Sequence, residues 1–155
     1  MYGFIVRRLV RRSFRRLSAG DYETVLKQFS PDIVFCFSGE HALGGELRGV
    51  EPTRRWFQRI YRLFPGIGFE PQAVVVNGWP WDTVVATRFR VRAWMSGDRP
   101  YSNEGMQLLR LRWGRVVEDR IYEDTHGLVE ALRYLADRGV DEALEGPLTE
   151  GKEVA

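Results

Sequence analysis

Residues 4–18 read Phe-Ile-Val-Arg-Arg-Leu-Val-Arg-Arg-Ser-Phe-Arg-Arg-Leu-Ser, with apolar residues and arginine pairs alternating about every four positions. That spacing predicts an amphipathic helix with one basic stripe and one apolar stripe (Ile5, Leu9, Phe14, Leu17) turned to a core. Ala19-Gly20 ends it, and Asp21 is placed to cap a second helix through about Phe29. Ser30-Pro31-Asp32 breaks that helix before a short strand, Ile33 to Phe37. A glycine-rich loop occupies residues 38–49. Pro52 then stands near the start of a third helix carrying Trp56, Phe57, Ile60, Tyr61 and Phe64.

Beyond Pro65-Gly66 the apolar period shortens to two. Strands are expected near 68–77, 83–95, 101–113 and 115–123, with turns at Asn77-Gly78, Ser96-Gly97-Asp98 and Trp113-Gly114. Asp124 or Thr125 caps a last helix, Leu128 to Ala136, which Arg138-Gly139 closes. This order predicts one α+β domain over residues 1–140, with helices packed over the concave face of a curved antiparallel sheet. Such a sheet forms a cone with a cavity inside it. Residues 141–155 read as an acidic, frayed tail.

Composition narrows the partners. A length of 155 residues suits one domain, and 13% aromatic content supplies rings for a core or an apolar pocket. A net charge of +2 and no recognition motif argue against a nucleic-acid partner. The single cysteine, Cys36, leaves no intrachain disulfide and suggests a cytoplasmic location. No apolar run approaches the ~20 residues of a membrane span. The arginine-rich start lacks the continuous apolar segment of a secretory leader. The first helix's apolar stripe is needed for the core, so no membrane partner is expected. His41 and His126 lie far apart, and there is no phosphate loop, dinucleotide fingerprint or nucleophile elbow. Neither a metal nor another cofactor is expected.

Candidate chemistry gathers on the segment from Trp113 to Thr125. Alternation places Val117, Asp119, Ile121 and Glu123 on one strand face and Glu118, Arg120 and Tyr122 on the other. A carboxylate on an apolar face either lines a cavity or needs a partner, because an unpaired buried charge is very costly. Asp119 is thus an acid–base candidate, unless an arginine pairs with it or a bulge turns it outward. On the preceding strand Asn103 and Gln107 share a face with Leu109 and Leu111, which suits a lined cavity. Trp56, Tyr61, Phe89 and Ile121 serve as core or as pocket wall. Glu40 and His41 are set at the mouth of the cone, where an acid and an imidazole could share a proton. Arg88, Arg90, Arg92, Arg110, Arg112 and Arg120 fall on the outer sheet face with Glu118, an arginine-rich surface suited to a homodimer.

Together with this element order, Ser18-Ala-Gly-Asp21, Leu47-Arg-Gly49 and Trp113-Gly-Arg-Val-Val-Glu118 resemble the SnoaL-like, nuclear transport factor 2-like superfamily over roughly residues 5–138. The resemblance implies a cystatin-like roll. Its members include ketosteroid isomerases, limonene epoxide hydrolases, scytalone dehydratase, polyketide cyclases and non-catalytic adaptors, so fold alone does not settle function. The isomerase base falls on Glu40 when counted back from Arg48-Gly49, and on Phe37 when counted forward from Ala19-Gly20-Asp21. Its oxyanion-hole acid falls on Gln107, whose amide could donate instead, and its tyrosine falls on the shorter Ser13. The arginine between two aspartates of the epoxide hydrolases is not evident. SnoaL-type cyclases use an acid on the last strands, here Asp119 or Asp124. The resemblance therefore implies a cofactor-independent enzyme acting by proton transfer on a small, mostly apolar molecule, by cyclisation, isomerisation, dehydration or hydrolysis. Asp119 or Glu40 is its base, His41 a further catalytic candidate, and Gln107 and Tyr61 orient or donate. The alternative is a non-catalytic binding or dimerisation module whose carboxylates are paired with arginines.

Overall fold

The computed structural model describes residues 1–95 and 99–148. Its elements are α1 (Tyr2–Ser18), α2 (Tyr22–Leu26), β1 (Phe29–Phe37), β2 (Gly45–Arg48), α3 (Val50–Leu63), β3 (Gly68–Trp79), β4 (Asp82–Met95), β5 (Arg99–Arg112), β6 (Arg115–Glu123) and α4 (Thr125–Asp137). A short 3-10 turn, Asp141–Leu144, follows. The strands form one curved, unclosed sheet in the order β2-β1-β6-β5-β4-β3. The α+β architecture expected from the element order is present. Two details differ: β1 runs parallel to β6, and the glycine-rich loop contains β2, which pairs with β1.

Local chemistry explains most boundaries. Asp21 caps α2 by accepting from Thr24 N–H at 3.2 Å, and Asp124 caps α4 by accepting from His126 and Gly127 N–H. Helix α2 stops at Leu26, so Phe29 begins β1 and is buried. The β3–β4 turn is Pro80-Trp81 rather than Asn77-Gly78, since Trp79 already pairs with Asp82. The β5–β6 turn is Trp113-Gly114 as expected, with φ of 51° and 75°, the left-handed pair that a two-residue hairpin requires. The expected turn at Ser96-Gly97-Asp98 lies outside the described residues.

Core packing positions the helices over the concave sheet face. Trp56 of α3 lies 4.7 Å from Phe35 and 5.5 Å from Phe37 of β1, centroid to centroid. On α1 the residues that fill the core are Val6, Val10 and Phe14, one turn apart. Ile5 and Leu9, expected in that stripe, are about half exposed. Residues 141–148 dock rather than fray. Ala143 is buried, and the buried Arg59 of α3 donates to the carbonyls of Ala42 (2.8 Å) and Gly146 (3.1 Å) and pairs with Glu145.

One irregularity sets the face of the last strand. Between Arg110 and Leu111 the β5–β6 register shifts: Arg110 opposes Glu118, while Leu111 opposes Val116. Val117 is the extra residue of this bulge. Simple alternation put Val117 inward; the structure buries Val116 instead. Past the bulge the alternation holds, and Asp119 faces in.

Candidate functional site

Helices α1, α2 and α3 and the hollow of the sheet enclose a cavity of about 190 Å³. A cavity of about 150 Å³ holds benzene, so this one suits a somewhat larger molecule. Its wall is mainly apolar: Val6, Val10 and Phe14 of α1, Trp56, Phe57 and Ile60 of α3, and Phe37, Phe89, Leu109 and Ile121 of the sheet. Polar groups are few. Gln107, Asp119 and Glu123 come from the sheet, and Ser13 and Gln28 from the helical side.

Asp119 is 3% exposed. Gln107 Nε2 donates to its two carboxylate oxygens at 3.1 and 3.2 Å, and no arginine, lysine or histidine pairs with it among the described residues. The bulge that could have turned it outward sits two residues upstream and leaves it inside. Burial pushes the Asp119 carboxyl up to about 7, while the Gln107 bond pulls modestly the other way. At neutral pH both its protonated and ionised forms are populated. Gln107 Oε1 is buried without a hydrogen-bond partner among the described residues. An unmet buried acceptor costs about 1–3 kcal/mol, which a donor on a ligand would recover.

Glu123, which alternation sets on the same strand face as Asp119, is a second cavity carboxyl. It is half-buried, and burial pushes it too up to about 7. Asn103 Nδ2 approaches its Oε2 at 3.4 Å. Four residues along one strand separate it from Asp119 by roughly 13 Å, too far to share a proton. Its space exists because residue 105 has no side chain. A Cβ on Gly105 would lie 2.7 Å from Phe89 Cζ and 2.9 Å from Glu123 Cγ. The signal available in the sequence was the shared parity of positions 119 and 123.

Trp56, Phe89, Gln107, Asp119 and Ile121 therefore meet at one cavity. Glu40, His41, Tyr61 and Asn103 do not line it. Glu40 is exposed, and His41 is buried in the loop before β2, with Nε2 at 3.1 Å from the Ser38 carbonyl and Nδ1 accepting from Leu43 N–H. Desolvation lowers the His41 pKa, which favours the neutral ring. Tyr61 donates its hydroxyl to the Leu17 carbonyl at 2.6 Å, and its ring stacks on Tyr22. It helps join α1 to α3, and its one donor is already used there. The Asn103 amide donates to Tyr101 OH and the Asp124 carbonyl. Asp124 is a helix cap. Ser13 lies on the cavity at 3.5 Å from Gln28, and Phe37, the other position aligned with the isomerase base, is apolar wall.

The profile of the SnoaL-like domain matches residues 10–119, more than half of the chain. The chain belongs to the SnoaL-like domain family. No curated protein sequence matches it. Among solved structures its SnoaL-like fold is similar to PrhC from Penicillium brasilianum NBRC 6234, with TM-score 0.74 and 19% identity, covering 88% of this chain and 91% of PrhC. It is also similar to IdmH from Streptomyces antibioticus, described as a candidate polyketide cyclase, with TM-score 0.63 and 23% identity, covering 77% and 92%. A third is AclR from Streptomyces galilaeus, described as a candidate hydroxylase, with TM-score 0.66 and 20% identity, covering 84% and 83%. Such identities carry the fold and not the reaction. Among the described residues no helix is long and apolar enough to cross a membrane, and no three His, Cys, Asp or Glu side chains are grouped to hold a metal ion.

Proposed function

We propose that the chain catalyses proton transfer within a small, mostly apolar molecule, using Asp119 and no cofactor. The supporting observation is the carboxyl itself: buried in an apolar cavity, held by one amide and, among the described residues, paired with no cation. A carboxyl near pH 7 can remove a proton from carbon beside a carbonyl and return it elsewhere on the same molecule, as cyclisation, isomerisation and dehydration all require. Gln107 orients that carboxyl with its N–H donors and keeps Oε1 for a donor on the substrate. The aromatic and aliphatic wall excludes water and selects an apolar skeleton. The candidate cyclases among the structural relatives favour a substrate of the polyketide class, with its enolisable carbonyls.

The test is deuterium uptake at carbon from heavy water, followed by mass spectrometry over a panel of small cyclic ketones and diketones. Wild type is expected to accelerate exchange, and Asp119→Asn to lose about 10²–10⁴ of that rate. Equal exchange in the two proteins would remove Asp119 from the chemistry. Tight binding without exchange in wild type would favour the non-catalytic binding module.

We further propose that the outer sheet face pairs two copies of the chain. Met106, Leu108 and Tyr122 form an exposed apolar patch there, with Met106 directly opposite Tyr122. Around it Arg110 holds Asp82 at 2.7 and 2.8 Å, Arg90 holds Glu104 at 3.2 Å, and Arg120 holds Glu118. Light scattering reads the mass directly; a monomer at micromolar concentration rejects this pairing.

A further inference from the structure

Three exposed tryptophans flank Pro80 and Gly114, two residues of the cavity wall. Trp79, Trp81 and Trp113 are 62%, 56% and 74% exposed, yet they form one cluster. Ring centroids are 6.0 Å apart for Trp79 and Trp81, and 6.4 Å apart for Trp81 and Trp113. The Trp113 N–H donates to the Pro80 carbonyl at 2.7 Å, tying the β5–β6 turn to the β3–β4 turn. Pro80 and Gly114, beside these rings in the chain, line the cavity.

Helix α1 lines the same cavity beside them. Thr83 Oγ1 donates to the Trp79 carbonyl at 2.7 Å and bonds Tyr2 OH at 2.6 Å, so the start of α1 is fastened beside the tryptophans. Ile5 and Leu9 line the cavity and are about half exposed. Phe4 is exposed next to them, in a shallow groove it shares with Arg8 and Arg12. The core takes Val6, Val10 and Phe14 and leaves this second apolar edge uncovered.

Charge says what covers it. Helix α1 contains six arginines and no acidic residue. Arg16 pairs with Asp21, while Arg7, Arg8, Arg11, Arg12 and Arg15 are exposed or solvent-facing and pair with no carboxylate among the described residues. Exposed indoles beside an arginine-rich amphipathic helix match the chemistry of a lipid headgroup interface, where rings settle at the boundary and cations meet anionic lipid.

We propose that the tryptophan end of the cavity docks on an anionic lipid surface, with α1 along the headgroups, Trp81 and Trp113 among them, and the cavity mouth facing the bilayer. An apolar ligand then passes between lipid and cavity without crossing water. An acidic protein would satisfy the arginines but gives three exposed indoles no role. A second copy would bring a second cationic helix and repel the first. The proposal is independent of the reaction assigned to Asp119.

The experiment is flotation of the full chain with vesicles of phosphatidylcholine alone or mixed with phosphatidylserine, in low salt. Binding is expected only to the mixed vesicles, with tryptophan emission quenched by brominated phosphatidylcholine. Trp81→Ser with Trp113→Ser, which leaves only Trp79 of the cluster, should remove most of that quenching. Arg8→Gln with Arg12→Gln, which leaves the apolar edge intact, should weaken partitioning about thirtyfold. The proposal is overturned if nothing floats, if the chain floats with unquenched tryptophans, or if the tryptophan variant instead dissolves a dimer seen by light scattering.

Discussion

Gln107 Nε2 lies 3.1 and 3.2 Å from the two oxygens of Asp119, reaching diagonally between strands whose register sets Gln107 opposite Ile121 and Leu109 opposite Asp119. An amide donates a hydrogen bond but brings no charge. It can therefore orient a buried carboxylate without fixing it in the ionised form, as an arginine would. The proposed chemistry depends on this distinction.

Replacing Asp119 with Asn should stabilise the protein while removing its activity. The folded-state pKa of about 7 lies above the unfolded value near 3.9, so the unfolded chain ionises first. The stability contributed by this site is complete below pH 4, is lost between about pH 4 and 7, and stays lost above that. Asp119→Asn should therefore gain on wild type across that window, by up to roughly 4 kcal/mol at pH 8. Urea denaturation at a series of pH values measures it; a constant difference between pH 4 and 8 contradicts the assignment.

Gln107→Leu removes the donor that favours the ionised carboxylate. The Asp119 pKa should rise by roughly one pH unit, the equivalent of one hydrogen bond to a charged group. Exchange activity that depends on the basic form should then rise with pH later, its limb displaced to the alkaline side. A lower rate with an unmoved limb would assign Gln107 to substrate binding alone.

Gly105→Ala tests the clearance beneath Glu123. The added Cβ would meet the Tyr122 carbonyl at 2.7 Å as well as Phe89 and Glu123. A backbone oxygen cannot swing aside, so the substitution should cost about 1–3 kcal/mol. Denaturant midpoints read this directly, and no change would show that β5 and β6 yield there.

Arg59→Met addresses the docked segment 141–148. Its guanidinium is buried and holds the Gly146 carbonyl, Glu145 and the Ala42 carbonyl. Loss of these bonds should free residues 141–148 while leaving the sheet folded. Limited proteolysis should cut that segment at least roughly tenfold faster, with the thermal midpoint lowered by only a few degrees. Unchanged cleavage would mean that Ala143 packing and the Arg62–Glu142 pair retain it.

Much of the framework was legible before any contact was known. The Asp21 and Asp124 caps, the Trp113-Gly114 turn and the parity that sets Gln107 and Asp119 inward follow from local chemistry and alternation. The misread positions depend on distant partners. Val116 replaced Val117 because a bulge relieves the register behind a tight turn. His41 and Tyr61 found backbone carbonyls that no sequence pattern marks. Residues 45–48 became a strand because β1 offered an open edge to pair with.

By itself the sequence determined the succession of helices and strands apart from β2, and most of which side chains share a face, because periodicity and capping act within a few residues. The tertiary structure alone decided that Asp119 meets an amide and, among the described residues, no arginine, that Gly105 leaves the space Glu123 occupies, and that Glu40 and His41 lie elsewhere. The physical reason is that a carboxyl's pKa is set by the solvent and charges excluded from around it, and those come from segments scattered along the chain.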